Sequence, residues 1–239
     1  MRLPIALCTF ILAVFFGRAQ QPGESLIRNM HSKYYEGPCK KVSFSQKNTH
    51  YRHDSVKGKS VWHEKIEYPD KFLIQFGNPA EGNYVQYRND SALHYKAGKL
   101  IKAKPDANEL LLLLGGMYYR PVEDVIARIK KGGFNLAWVT EVTWNGQFTW
   151  VAGAHPGDTL SNQIWVDKKT LRVVRIVQRL ANGDRMDIRF EKFVPSCKGW
   201  MEVKVVFYRN GRKEQVEEYY DIRTGAWSVR SEKASVNLR

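Results

Sequence analysis

Cysteine is scarce in this 239-residue chain, which holds three, Cys8, Cys39 and Cys197. Neither Cys39 nor Cys197 has a histidine close by in sequence, so a thiolate nucleophile with an adjacent base has no support. No serine sits in a nucleophile elbow, and no glycine-rich phosphate loop follows a strand pattern. No Pro/Gly/Ser-rich linker, low-complexity tract or internal repeat divides the chain, which excludes a tandem or multi-domain array. The longest apolar run, Leu3 to Phe16, is too short to span a bilayer.

That run follows Arg2 and ends at Gly17-Arg18-Ala19, a small-x-small cleavage pattern. Residues 1–19 are therefore expected to be a secretory signal peptide, and residues 20–239 a single exported domain, periplasmic in the cell envelope and monomeric. Export leaves Cys39 and Cys197 in an oxidising compartment, where an isolated pair usually bonds, two buried free thiols being the alternative. The chain is basic, with 38 Lys and Arg against 24 Asp and Glu. The positive residues are spread along strands and turns instead of forming a block, and an exported protein does not meet nucleic acid. A weak preference for anionic membrane surfaces, or contact with envelope protein partners, fits that charge better.

Helical patterns are few. "ESLIRNMHSKYY" puts Leu26, Ile27, Met30 and Tyr34 on one face. "DANELLLLLGG" pairs Asp106 with Glu109 as a capping box, runs through Leu110 to Leu114 and stops at Gly115-Gly116. "PVEDVIARIKKGG" opens with Pro121 at the first helical position and ends at Gly132. The rest alternates as strands, roughly a dozen by the spacing of apolar residues and turn signals. Asn145-Gly146, Asn182-Gly183 and Asn210-Gly211 each supply the dipeptide that a type I′ hairpin turn favours. Three short helices cannot cover a dozen strands, so the sheet must curl on itself or pair with another. In "QIWVDKKTLRVVRIV", Gln163 to Val177, both faces are apolar, which asks what covers the second.

Two polar clusters invite chemistry. His50, His53 and Asp54 could converge on a metal ion, but in a strand that spacing sends the two imidazoles to opposite faces, so no metal site and no cofactor are expected. Glu214, Glu217 and Glu218 could form a catalytic carboxylate pair, but beside Arg212 and Lys213 on an amphipathic strand they read as a solvated face. With no catalytic constellation in view, the protein is not expected to be an enzyme. The 11 Phe, 12 Tyr and 7 Trp residues stand out instead. Trp62, Phe72, Ile74, Phe76, Trp138, Phe148, Trp150, Ile188, Phe190, Val203 and Val205 share the inward parity of their strands. With Leu111 and Leu112 of the leucine-rich helix as a plug, they are the candidate lining of an apolar cavity. A sheet of this many strands encloses more space than its own side chains fill.

The order of these elements resembles the LolA-like periplasmic carriers, which ferry lipoproteins between the membranes of Gram-negative bacteria. The likeness rests on an N-terminal helix leading to "FSQ" (Phe44 to Gln46), and "YPDKF" with Pro69 and Phe72 as a Pro-x-x-Phe pattern. It continues through the leucine-rich helix, "IWVD" (Ile164 to Asp167) and "LANGDRMDIRF", spanning most of residues 24–193. The resemblance implies a mainly β fold, a strongly curved antiparallel sheet forming a half-open barrel with helices plugging its mouth. It also implies a binding protein for lipid or lipoprotein acyl chains, or an envelope sensor of the same fold. The carriers place an arginine just before the Pro-x-x-Phe proline, where this chain has Tyr68, so their lid mechanism does not carry over.

Overall fold

The computed structural model describes residues 21–225; the expected signal peptide lies outside them. Thirteen antiparallel strands form one sheet: β1 (Lys41–Arg52), β2 (Ser55–Glu67), β3 (Lys71–Phe76), β4 (Tyr84–Arg88), β5 (Ser91–Lys96), β6 (Lys99–Pro105), β7 (Val139–Trp144), β8 (Gln147–Ala152), β9 (Gln163–Asp167), β10 (Val173–Arg179), β11 (Arg185–Ser196), β12 (Gly199–Arg209) and β13 (Arg212–Thr224). Their order is β6-β5-β4-β3-β2-β1-β13-β12-β11-β10-β9-β8-β7, so two meanders meet where β1 pairs with β13, and the sheet does not close. The chain passes from one free edge, β6, to the other, β7, through α2 (Glu109–Leu114) and α3 (Val122–Lys131); α1 (Pro22–Tyr34) precedes the sheet. Among the described residues, no helix is long and apolar enough to cross a membrane.

Turn chemistry explains the meanders. Asn145-Gly146 and Asn210-Gly211 have positive φ at both positions, as type I′ turns require. Three further dipeptides do the same without the Asn-Gly signature: His53-Asp54, Asn89-Asp90 and Ala97-Gly98. Asn182 does not, although Gly183 does; there Gly183 N–H bonds Leu180 O in a different turn. The cap of α2 also differs from the expected box. The Asn108 side chain accepts from Leu111 N–H at 3.0 Å, while Asp106 Oδ1 accepts from Asn108 N–H at 3.1 Å. Pro121 stands one residue before α3 instead of opening it.

The three helices settle on one half of the sheet. Leu26, Ile27 and Met30 of α1, Leu112 and Leu113 of α2 and Val125, Ile126 and Ile129 of α3 pack with Ala152, Ile164, Ile176, Ile188 and Val205 into a single core. That covers one face of β9 and β10. On the other face Trp165 and Arg175 are cross-strand partners, with the guanidinium 4.4 Å from the ring centroid and Trp144 edge-on at 5.9 Å. Arg175 then holds Asp187 with two bonds of 2.7 and 2.9 Å, and Arg189 adds another at 3.0 Å. Burial alone would raise the Asp187 pKa, but these bonds hold it below the usual range. An arginine–tryptophan ladder thus replaces solvent on the outer face.

Cys39 and Cys197 form a disulfide with Cα atoms 5.2 Å apart. It ties the segment before β1 to the β11–β12 turn, beside a small cluster of Val42, Phe44 and Met201.

Candidate functional site

Where the helices end, the inner face of the sheet is not filled. A cavity of about 580 Å³ lies between α2 and the inward residues of β1–β4 and β11–β13. Phe44, Trp62, Ile66, Phe72, Ile74, Phe190 and Phe207 line the sheet side, and Leu110, Leu111 and Leu114 face them from α2. The α2 leucines therefore divide their work: Leu112 and Leu113 enter the main core, while Leu110 and Leu114 border both core and cavity. Rings hold one another in place, with Phe44 stacked on Tyr219 at 4.5 Å, Phe72 on Tyr87 at 5.7 Å, and Trp62 edge-on to Phe76 at 5.1 Å.

Tyr68, just before Pro69, closes one side. Its ring crosses Gly115, where an added Cβ would fall 2.2 Å from a ring carbon. A side chain at this position would displace the ring, so Gly115 serves as a seat for Tyr68, while Gly116 lies against the carbonyls of Leu111 and Pro69. Tyr68 also stacks on Tyr119 at 6.1 Å, and desolvation of its hydroxyl pushes the pKa upward.

A polar stripe crosses this apolar space. Glu64, Glu202 and Glu217 line the cavity from β2, β12 and β13, and none of them has an ion-pair partner among the described residues. Glu217 accepts bonds from Gln215 Nε2 at 2.7 Å and Tyr219 Oη at 2.9 Å. Glu64, only 5% exposed, has no side-chain hydrogen bond among the described residues. Burial pushes the pKa of Glu202 and of Glu217 up to about 7. Burial, then the charges of Glu217 and Glu202, raises Glu64 well above the carboxylate range. Gln46 and Asn48, both buried, continue the stripe on β1, leaving Gln46 Oε1 and Asn48 Nδ2 without partners.

Six of the candidate lining residues meet here: Trp62, Phe72, Ile74, Leu111, Phe190 and Val205. Phe76 backs Trp62 without reaching the space. Leu112 and Ile188 belong to the packed core, and Trp150 lies at its margin, because the helices cover that half of the sheet. Val203 is half-buried away from the cavity. Trp138 and Phe148 are exposed; Trp138 lies against His155, with ring centroids 3.7 Å apart and planes tilted by 42°. The solvated-face reading of the β13 glutamates fails for Glu217, which is buried, and Glu214 is held by Arg209 at 2.8 Å. His53 and Asp54 form the β1–β2 turn, and His50 shares a hydrogen bond with Ser60 Oγ at 2.9 Å. No group of three or more metal-ligating side chains occurs among the described residues.

A second cavity of about 660 Å³ lies across α2, lined by Asp90, Asp124, Arg120 and Arg128 among others. Part of its charge is paired, Arg128 bonding Asp90 at 2.9 Å and Asp124 at 3.0 Å, while the buried Arg120 Nε has no partner among the described residues.

No family model matches this sequence, and no curated protein matches it significantly. Solved structures do match its fold. A DUF1329 family protein from Desulfovibrio piger superposes with a TM-score of 0.59 at 14% identity, covering 89% of this chain and 97% of that one. An outer membrane lipoprotein-sorting protein domain from Vibrio parahaemolyticus gives 0.59 at 13% identity with the same coverage. A LolA superfamily protein from Nitrosomonas europaea gives 0.55 at 10% identity, again over 89% and 97%. An open, curved antiparallel sheet with short helices against its inner face is thus common to these proteins and to this chain, which has the LolA-like fold.

Proposed function

We propose that this protein is an exported, non-catalytic binding protein of the cell envelope that holds the acyl chain of a lipid or lipoprotein between α2 and the inner face of the sheet. The observation that carries this reading is the unfilled apolar space beneath Leu110, Leu111 and Leu114, of a size typical of ligand sites. Burial of about ten methylenes at roughly 0.8 kcal/mol each, less the cost of ordering, corresponds to micromolar affinity. The β6 edge supports contact with an anionic membrane surface, since Leu100 and Ile101 are exposed beside Lys99, Lys102 and Lys104.

The test is mass spectrometry of organic extracts from protein exported to a bacterial periplasm, joined with titration of a neutral single-chain amphiphile such as dodecanol. Copurifying lipid and saturable micromolar binding that weakens on Phe72→Asp support the proposal. Empty protein that also fails to bind dodecanol overturns it.

A further inference from the structure

The polar stripe defines which end group the cavity accepts, an inference that rests on the acyl-binding reading above. We propose that the ligand is an amphiphile carrying an ammonium group, seated head-inward among Glu64, Glu202 and Glu217 with its apolar chain under the α2 leucines. Three carboxylates reach one apolar space from three strands, and no lysine or arginine among the described residues pairs with them. The one guanidinium that lines the cavity, Arg209, is already engaged by Glu214 at 2.8 Å and Asp184 at 3.1 Å. A buried carboxylate without a counter-ion is costly, and a ligand that brings the cation removes that cost.

Two further observations agree with a donor-rich cation. Gln46 Oε1, on the same strand face as Phe44 and behind the cavity lining, is a fully buried acceptor with no donor, and a primary ammonium offers three N–H donors. The aromatic rings of Phe44, Trp62, Phe72 and Tyr219 surround the carboxylates, and π faces attract cations. A fatty acid entering carboxylate-first would meet charge of its own sign. The protein's formal net charge of +14 makes this selectivity the reverse of what nonspecific surface attraction would give.

The pH dependence follows in sign. Raising the pH through about 7 ionises Glu202 and Glu217, while an alkylammonium, with a pKa near that of lysine at about 10, stays charged. Ammonium binding therefore tightens between pH 5.5 and pH 8. The other titratable groups facing this space, among the described residues, are His50, Tyr51, Tyr68, Tyr87, Arg209, Glu214 and Tyr219.

The experiment compares dodecylamine, dodecanol and dodecanoate by isothermal titration calorimetry on the delipidated protein at pH 5.5 and 8, with n-butylamine as the chainless control. At pH 8 dodecylamine is expected to bind at least ~10-fold more tightly than dodecanol, a margin of about 1.4 kcal/mol, with dodecanoate weakest. The preference should shrink at pH 5.5. It should fall sharply in Glu64→Gln/Glu202→Gln, which keeps only Glu217, while dodecanol binding persists, and Glu202→Gln alone should reduce it if the double variant folds poorly. Equal binding of amine and alcohol, or tightest binding of dodecanoate, overturns the head-group assignment and leaves the acyl-binding reading standing. Butylamine binding as strong as that of dodecylamine overturns the amphiphile in favour of a free amine. If none of the three C12 compounds binds, both readings fail.

Discussion

Replacing Glu202 by glutamine should stabilise the ligand-free protein at pH 8 and leave it nearly unchanged at pH 4.5. The folded state raises this carboxyl from its ordinary 4.5 to about 7. Between those values the folded chain binds more protons than the unfolded one, so stability falls as pH rises. The contribution is fully present below 4.5 and lost by about pH 7. At about 1.36 kcal/mol per pH unit, the shift amounts to roughly 3 kcal/mol. Glu217 acts in the same direction and over the same window. Asp187, held below its usual range, has the opposite sign, but its contribution is lost only in stronger acid. Urea unfolding with the disulfide intact, at pH 4.5, 6 and 8, reads the effect as a midpoint that falls with pH at constant slope. For a chain of this size roughly 3 kcal/mol corresponds to about 6–12 °C in Tm. A wild-type midpoint that is flat or rises toward pH 8, or a Glu202→Gln variant weaker than wild type at pH 8, would refute the argument that this half-buried carboxyl is desolvated without a cation.

Ile188→Trp should destabilise by about 1–3 kcal/mol, because Ile188 is 4% exposed within the helix-covered core and overpacking there forces rotamers and backbone to shift; differential scanning calorimetry checks it, and an unchanged Tm would put space where the structure has none. Removing the disulfide as Cys39→Ser/Cys197→Ser should cost up to about 5 kcal/mol, from the loop-closure entropy of a 158-residue separation, read as a fall in urea midpoint. Asp187→Ala should cost about 3–5 kcal/mol by leaving Arg175, 12% exposed at its side chain, without its carboxylate. Chemical denaturation measures that loss, and a change below 1 kcal/mol would mean that Arg175 finds solvent.

Alternation along the strands was legible in the sequence because each inward face is apolar over several residues, and the leucine run marked α2. The cavity's location was only half legible. Parity alone put Ile188 and Phe148 with Phe72 and Ile74, whereas the structure separates them by where the helices lie, which depends on contacts distant in sequence. The carboxylates are not legible from charge alone, since charged side chains on strands ordinarily face solvent. The pattern Trp62, Glu64, Ile66 in β2 does place Glu64 on the inward face, and that buried polar parity was the available signal. Glu217 could not be recognised in the same way, since its burial follows from the pairing of β13 with β1, the two chain ends of the sheet.

The unpaired edges of the sheet have a mechanical consequence. A closed barrel has its radius fixed by strand number and stagger, but here no ladder joins β6 to β7, and the edges are bridged only through α2, α3 and their loops. A slight change in twist at each of the twelve strand pairings would widen or narrow the interior without breaking a ladder hydrogen bond. On the proposed function, the open sheet would then act as a spring with its clamp at the helices, the chain lengths accepted would be set by how far α2 yields, and a crosslink between β6 and β7 would give an interior of fixed bore.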